Sequence, residues 1–126
     1  MAKFVSAYES ADVDALVSLL TDDVFISMPP MPFEYEGRDL VARFCASIFR
    51  AGRRFDLVRT RANGQPALGA YLRAPTGVSD GVGLIALSIA GDRIHAMTRF
   101  EHSVLPWFGL PGSLPSRSLQ YPTRSL

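Results

Sequence analysis

Close to the end of the chain, His95, Met97, Arg99 and Glu101 recur at every second position of a β-type run. On a strand, period two puts these four on one face and Ile94, Ala96, Thr98 and Phe100 on the other. An arginine beside a carboxylate can activate water, and an imidazole can act as a base. Arg99 with Glu101, or His95, are therefore the reacting groups that a small enzyme would use. A structural role is the stronger expectation for these groups. Charges two apart on a strand commonly hold one another at a sheet rim, and a single histidine is more often structural than catalytic.

Other titratable groups point to less chemistry. Glu34 and Glu36 fall in a proline-rich loop and read as solvated. Asp22 and Asp23 read as a helix end, because no His or Cys stands at metal-ligand spacing, and neither a metal nor a cofactor is expected. Cys45 has no second cysteine to pair with and sits in an apolar helical stretch, which predicts a buried, unreactive thiol. Arg50, Arg53, Arg54, Arg59 and Arg61 form the densest basic cluster. Its aromatic interleaving is limited to Phe49 and Phe55, and a helix dipole already accounts for cations at a helix C-terminus, so direct nucleic-acid binding is not expected.

The elements that must position these groups follow from periodicity. Phe4, Val5, Tyr8 and Ala11 recur at helical spacing. Asp12 then caps a second helix with Val13, Leu16, Val17, Leu19 and Leu20 on its apolar side. Val24 to Met28 reads as a short strand stopped by Pro29, Pro30 and Pro32, with an irregular segment to Glu36. Leu40, Val41, Phe44, Cys45, Ile48 and Phe49 define an amphipathic helix from Arg38 that closes near Gly52. From Phe55 the period becomes two: a hairpin turns at Asn63-Gly64, Ala67 to Arg73 returns, and Val82 to Ala90 and Arg93 to Glu101 form the last two strands. The expected class is α+β with order ααβαββββ and the helices on one sheet face. After His102, four prolines and many serines predict irregular chain, mobile from about Ser113. Trp107, Phe108 and Leu110 are its apolar exception and are expected to fold back as a lid or to dock on a second subunit.

Composition sets the outer limits. At 126 residues, with 48% hydrophobic and 20% charged, the sequence fits one globular domain, and no apolar run approaches the ~18 residues of a membrane span. The opening residues lack the features of a signal peptide, so a cytoplasmic location is expected. Residues 1 to 40 hold eight acids and two bases, while the rest hold eleven arginines and four acids. Scattered as the arginines are, this asymmetry reads as a solvated exterior.

Several runs carry a family resemblance. Phe4-Val5-Ser6-Ala7-Tyr8, Asp12-Val13-Asp14-Ala15-Leu16 and Leu19-Leu20-Thr21-Asp22-Asp23 resemble the opening of SnoaL-like domains, the superfamily of nuclear transport factor two, ketosteroid isomerase and the polyketide cyclases. Met28-Pro29-Pro30, Tyr35-Glu36-Gly37-Arg38, the run from Thr60 to Ala67, Asp92-Arg93-Ile94 and Phe108-Gly109-Leu110-Pro111 are similar to the C-terminal extension of actinobacterial extracytoplasmic-function sigma factors. The resemblance covers about residues 3 to 111 and implies one domain over 1–111, leaving 112–126 as a flexible tail. It implies a cone-shaped, curved, mixed or antiparallel sheet wrapped by three helices, an apolar interior pocket and a homodimer. It also implies a sigma factor core or RNA polymerase as partner, for either an excised regulatory module or a stand-alone relative.

Matched to the isomerase pattern, Phe4 stands where the family has Tyr, Met28 where it has its base and Ile85 where it has the oxyanion-stabilising Asp. None of the three can move a proton. The resemblance therefore implies a non-catalytic regulatory or ligand-binding domain. Its expected pocket is lined by Phe4, Tyr8, Met28, Phe44, Ile48, Tyr71, Ile85, Leu87 and Met97, with Arg99 to orient a small apolar ligand. The alternative is a small cyclase, isomerase or epoxide hydrolase using His95, Arg99 and Glu101.

Overall fold

The fold was analysed in a computed structural model that describes residues 2–29, 31–62 and 64–115. Helix α1 (Ala2–Glu9) turns at Ala11, whose φ is +58°, into α2 (Val13–Val17). Asp12 caps α2 by accepting a hydrogen bond from the Ala15 amide at 3.1 Å, as its sequence position predicts. The helix is shorter than its apolar spacing suggests. The Ser18 hydroxyl donates to the Ala15 carbonyl at 2.7 Å, and the Ile94 amide donates to the Leu19 carbonyl, drawing the chain into the sheet. Strand β1 (Leu20–Ser27) therefore begins four residues before Val24 and takes in Asp22 and Asp23, which do not end a helix.

Part of the expected irregular segment forms β2 (Glu34–Glu36), antiparallel to β1. Helix α3 (Arg38–Arg50) follows and buries Val41, Cys45 and Phe49 at successive i+4 positions, with Phe44 and Ile48 half-buried beside them. Leu40, at its start, stays exposed. Strands β3 (Phe55–Ala62), β4 (Gln65–Arg73), β5 (Ser79–Ala90) and β6 (Arg93–Glu101) run as an antiparallel meander. A 3-10 helix (His102–Phe108) and β7 (Ser113–Leu114), which pairs with β5, complete the described chain; residues 116–126 of the expected tail lie outside it.

The sheet order is β2-β1-β6-β5-β4-β3, with β1 parallel to β6 and every other pair antiparallel. This is the mixed α+β sheet expected, with β2, the 3-10 helix and β7 added to the order ααβαββββ. The helices lie on the inner face, where Phe4, Leu16, Val24, Ile26, Leu68, Ile85 and Met97 join one apolar core. The outer face holds a second, smaller core of Ala62, Ala67, Tyr71, Leu84 and Leu105, covered by the 3-10 helix. No helix among the described residues is long and apolar enough to cross a membrane.

Two bulges set which side chains face inward. Between β5 and β6, Ser88 pairs with Ala96 and Ile89 with Ile94, so His95 is an extra residue on β6. A bulge reverses strand parity, and Ile94 rather than His95 shares the inner face with Met97. Between β4 and β5, Ala70 pairs with Gly83 and Tyr71 with Gly81, which leaves Val82 as the extra residue on β5.

Candidate functional site

Three spaces meet at the Arg99 side chain. The innermost, about 30 Å³, lies between β1, α3 and the β5–β6 pair, with Ile26, Met28, Cys45, Phe49, Ile85 and Met97 among its walls. A second, about 40 Å³, lies toward Arg53, Phe55, Leu72 and Val82. Tyr8, Ile48 and Arg99 border both. The third, about 210 Å³, opens to solvent between Met28, Pro29, Met31, Val82, Phe100 and Glu101, again against Arg99. The inner spaces hold only a water or so each, far below the ~300 Å³ at which small-molecule pockets begin. The cone interior is therefore tightly filled around Arg99.

Rigid rings fix Tyr8. Its centroid lies 5.4 Å from that of Phe49, edge-on at 84°, 5.4 Å from that of Phe55 and 5.7 Å from that of Phe4. Burial pushes its phenol up to about 12, with Cys45 adding to the rise and the Arg99 charge opposing it. Burial likewise pushes the Cys45 thiol up to about 11. Both are protonated at neutral pH, and the buried thiol expected at Cys45 is present.

The half-buried Arg99 side chain makes one hydrogen bond among the described residues, from Nη2 to the Val82 carbonyl at 3.4 Å. Neither of the other two expected reacting groups engages it. Glu101 is exposed and accepts from the Ser103 hydroxyl at 2.6 Å, and His95, turned out by its bulge, stands 3.8 Å from Asp23 on the protein surface. The three groups of the enzymatic alternative are thus not brought together. Gly83 leaves room for the guanidinium: a Cβ there would come within 3.2 Å of Arg99 Nε and 2.6 Å of the Phe100 carbonyl.

Of the expected pocket residues, Tyr8, Met28, Phe44, Ile48, Ile85, Met97 and Arg99 converge on the inner space. Phe4 and Leu87 lie under a separate groove beside Lys3, Ile89 and Arg93. Tyr71 is on the wrong side of the sheet. Strand alternation sends it to the outer core, where its hydroxyl donates to the Pro111 carbonyl at 2.8 Å. Of the residues expected to fold back over the sheet, Phe108 and Leu110 pack on its outer core, whereas Trp107 is 86% exposed. Ile26, Cys45 and Phe49, outside the expected lining, also border the cavity. Ile26 shares Met28's strand parity, and the other two share α3's i+4 stripe, so the signal was present. The arginine cluster is divided, with Arg54 capping the Phe49 carbonyl at 3.3 Å while Arg59 and Arg61 stand exposed farther along β3. Among the described residues no three His, Cys, Asp or Glu side chains gather as a metal site requires.

This curved mixed sheet with helices on its concave side is the fold of the NTF2-like proteins. An NTF2-like protein of unknown function from Mesorhizobium loti superposes with a TM-score of 0.65 at 23% identity, over 80% of this chain and 86% of its own. An LEH-like epoxide hydrolase from Mycobacterium tuberculosis does so with a TM-score of 0.62 at 15% identity, over 79% of this chain and 77% of its own. Within that fold the SnoaL-like domain family model matches residues 1–102, and the chain belongs to that family. It is similar to the ECF RNA polymerase sigma factor SigG of Mycobacterium tuberculosis, with 34% identity over 119 residues. That alignment covers 90% of this chain but 31% of the sigma factor, so the chain spans about a third of the length of the curated relatives it matches.

Proposed function

We propose that this SnoaL-like domain is a non-catalytic regulatory module that acts in transcription by contacting a sigma factor or RNA polymerase, and that its cone interior admits a small apolar ligand. The observation that carries the reading is the absence of a facing acid and base around the cavity among the described residues. Beside the Arg99 guanidinium, the innermost space is bordered by Tyr8 and Cys45, raised to about 12 and about 11, and neither serves as a base near neutral pH; Glu101 borders only the open space. Phe4, Met28 and Ile85, at the positions the isomerase pattern would give to proton-transferring groups, are buried apolar side chains. Similarity to the sigma factor supports the transcriptional setting.

The test is binding of the fluorescently labelled full chain to RNA polymerase assembled with an extracytoplasmic-function sigma factor that lacks its own SnoaL-like region, alongside transcript yield in vitro. Saturable binding with a change in yield is the expected result. Turnover of an apolar epoxide or an unsaturated ketosteroid that disappears in Arg99→Ala would overturn the non-catalytic reading. Absence of any binding to the polymerase or the sigma factor would overturn the regulatory one.

A further inference from the structure

We infer that the ligand of the cone is a monocarboxylic acid with an apolar tail, anchored by Arg99, which also acts as the gate. This rests on the reading that the interior admits a ligand, and it adds the ligand's chemistry and the residue that controls entry.

Among the described residues, Arg99 is the one charged side chain that borders all three spaces. No Asp or Glu among the described residues lies within ion-pair distance of it. Its bond to Val82 is at the long limit of hydrogen-bond geometry, a weak tether for a half-buried guanidinium. That carbonyl belongs to the bulge residue of β5, and the neighbouring Gly83 keeps the guanidinium's place clear of any Cβ. A cation is thus held at the throat of an apolar cone without a counter-charge.

A second donor faces the same place. The Tyr8 hydroxyl makes no hydrogen bond among the described residues, borders both inner spaces with Arg99, and stays protonated to high pH. A guanidinium can only donate, and the Tyr8 hydroxyl, which has no acceptor of its own among the described residues, is free to donate beside it, so the pair suits an acceptor ligand. A carboxylate meets both requirements, taking two parallel bonds from the guanidinium and one from the phenol with a single charge neutralised. The walls beyond, Ile26, Met28, Ile85 and Met97, suit a hydrocarbon tail and no further charge. Swinging Arg99 outward toward Glu101 would join the inner spaces to the open one, whose combined size approaches the ~300 Å³ lower range of ligand pockets. Met31, 52% exposed at that mouth, supplies an apolar entrance.

The probes are octanoate, 1-octanol and octyltrimethylammonium, each below micelle-forming concentration, titrated calorimetrically into the full chain and checked by thermal shift. Octanoate is expected to bind at least tenfold more tightly than the alcohol, and the cation not at all. Arg99→Met should bring octanoate down to the alcohol's affinity, Arg99→Lys should retain part of the preference, and Tyr8→Phe should weaken octanoate severalfold. Circular dichroism establishes that each variant is folded. Equal affinity for octanoate and octanol, or an undiminished preference in Arg99→Met, would sink the assignment. If neither probe binds, both the carboxylate assignment and the ligand-admitting part of the proposed function fail, while polymerase binding still decides the regulatory part separately.

Discussion

Asp56 shows how much one buried carboxylate holds. Its Oδ2 accepts from the Ser79 hydroxyl at 2.6 Å, and its Oδ1 accepts from Arg73 Nε at 3.0 Å and Nη2 at 2.9 Å, tying β3, β4 and β5 together. Asp56→Ala strands a buried hydroxyl and a partly buried guanidinium, and urea unfolding should register a loss of about 2–3 kcal/mol. Thr21 is the opposite case. Its Oγ1 is buried without a partner among the described residues, so Thr21→Val, which keeps the shape, is expected to raise stability by up to ~1 kcal/mol in the same assay. Tyr8 and Cys45 set the alkaline limit. Their folded values, about 12 and about 11, lie above the ordinary 10.0 and 9.0, so both favour the folded state fully below pH 9. That contribution is lost as pH rises, from 9 for the thiol and from 10 for the phenol, up to about 12. Urea midpoints should therefore fall steeply above pH 9, less steeply in Tyr8→Phe. Cys45 was legible as a buried thiol because its helical stripe is unbroken. Tyr71 was not placed correctly, because an aromatic on a strand reads as core whichever face it takes, and here each face has a core of its own.

Elements were legible where one period runs long enough to exclude another. Helix α3 and the β3–β6 meander lie close to where their spacing puts them. The start of β1 is ambiguous in the sequence because Leu19 and Leu20 satisfy both a helical stripe and a strand, and tertiary pairing with Ile94 decides between them. The His95 bulge is invisible to a period-two count, which is why His95 seemed to share a face with Arg99. The 3-10 helix was hidden by Pro106, a residue that a short tight helix accommodates readily and a long α-helix does not. Its docking depends on bare backbone beneath it. A Cβ at Gly81 would come within 2.5 Å of Leu105 Cδ1 and 2.9 Å of the Gly112 carbonyl. Gly81→Ala is expected to lift this segment from the outer core, costing about 1–3 kcal/mol and exposing residues 102–115 to limited proteolysis at sites protected in the parent protein.

Taken whole, the molecule places its two halves on opposite sides of one sheet's economy of burial: helices seal the concave side, and the turn of chain after Glu101 seals part of the convex side. The candidate site was legible as to its greasy walls, since seven of the expected pocket residues converge on the inner space. Its closure was not, because void size depends on packing that no periodicity records. Strand β1 contributes a last consequence. Among the described residues its bonded neighbours are β2 and β6, and β6 begins some seventy residues later at Arg93. On the ribosome, the inward stripe of Val24, Ile26 and Met28 has no central partner until Glu101 has cleared the exit tunnel. Nascent chains arrested before Arg93 should accordingly bind chaperones and fail to become protease-resistant, whereas arrest well beyond Glu101 should yield protected chains.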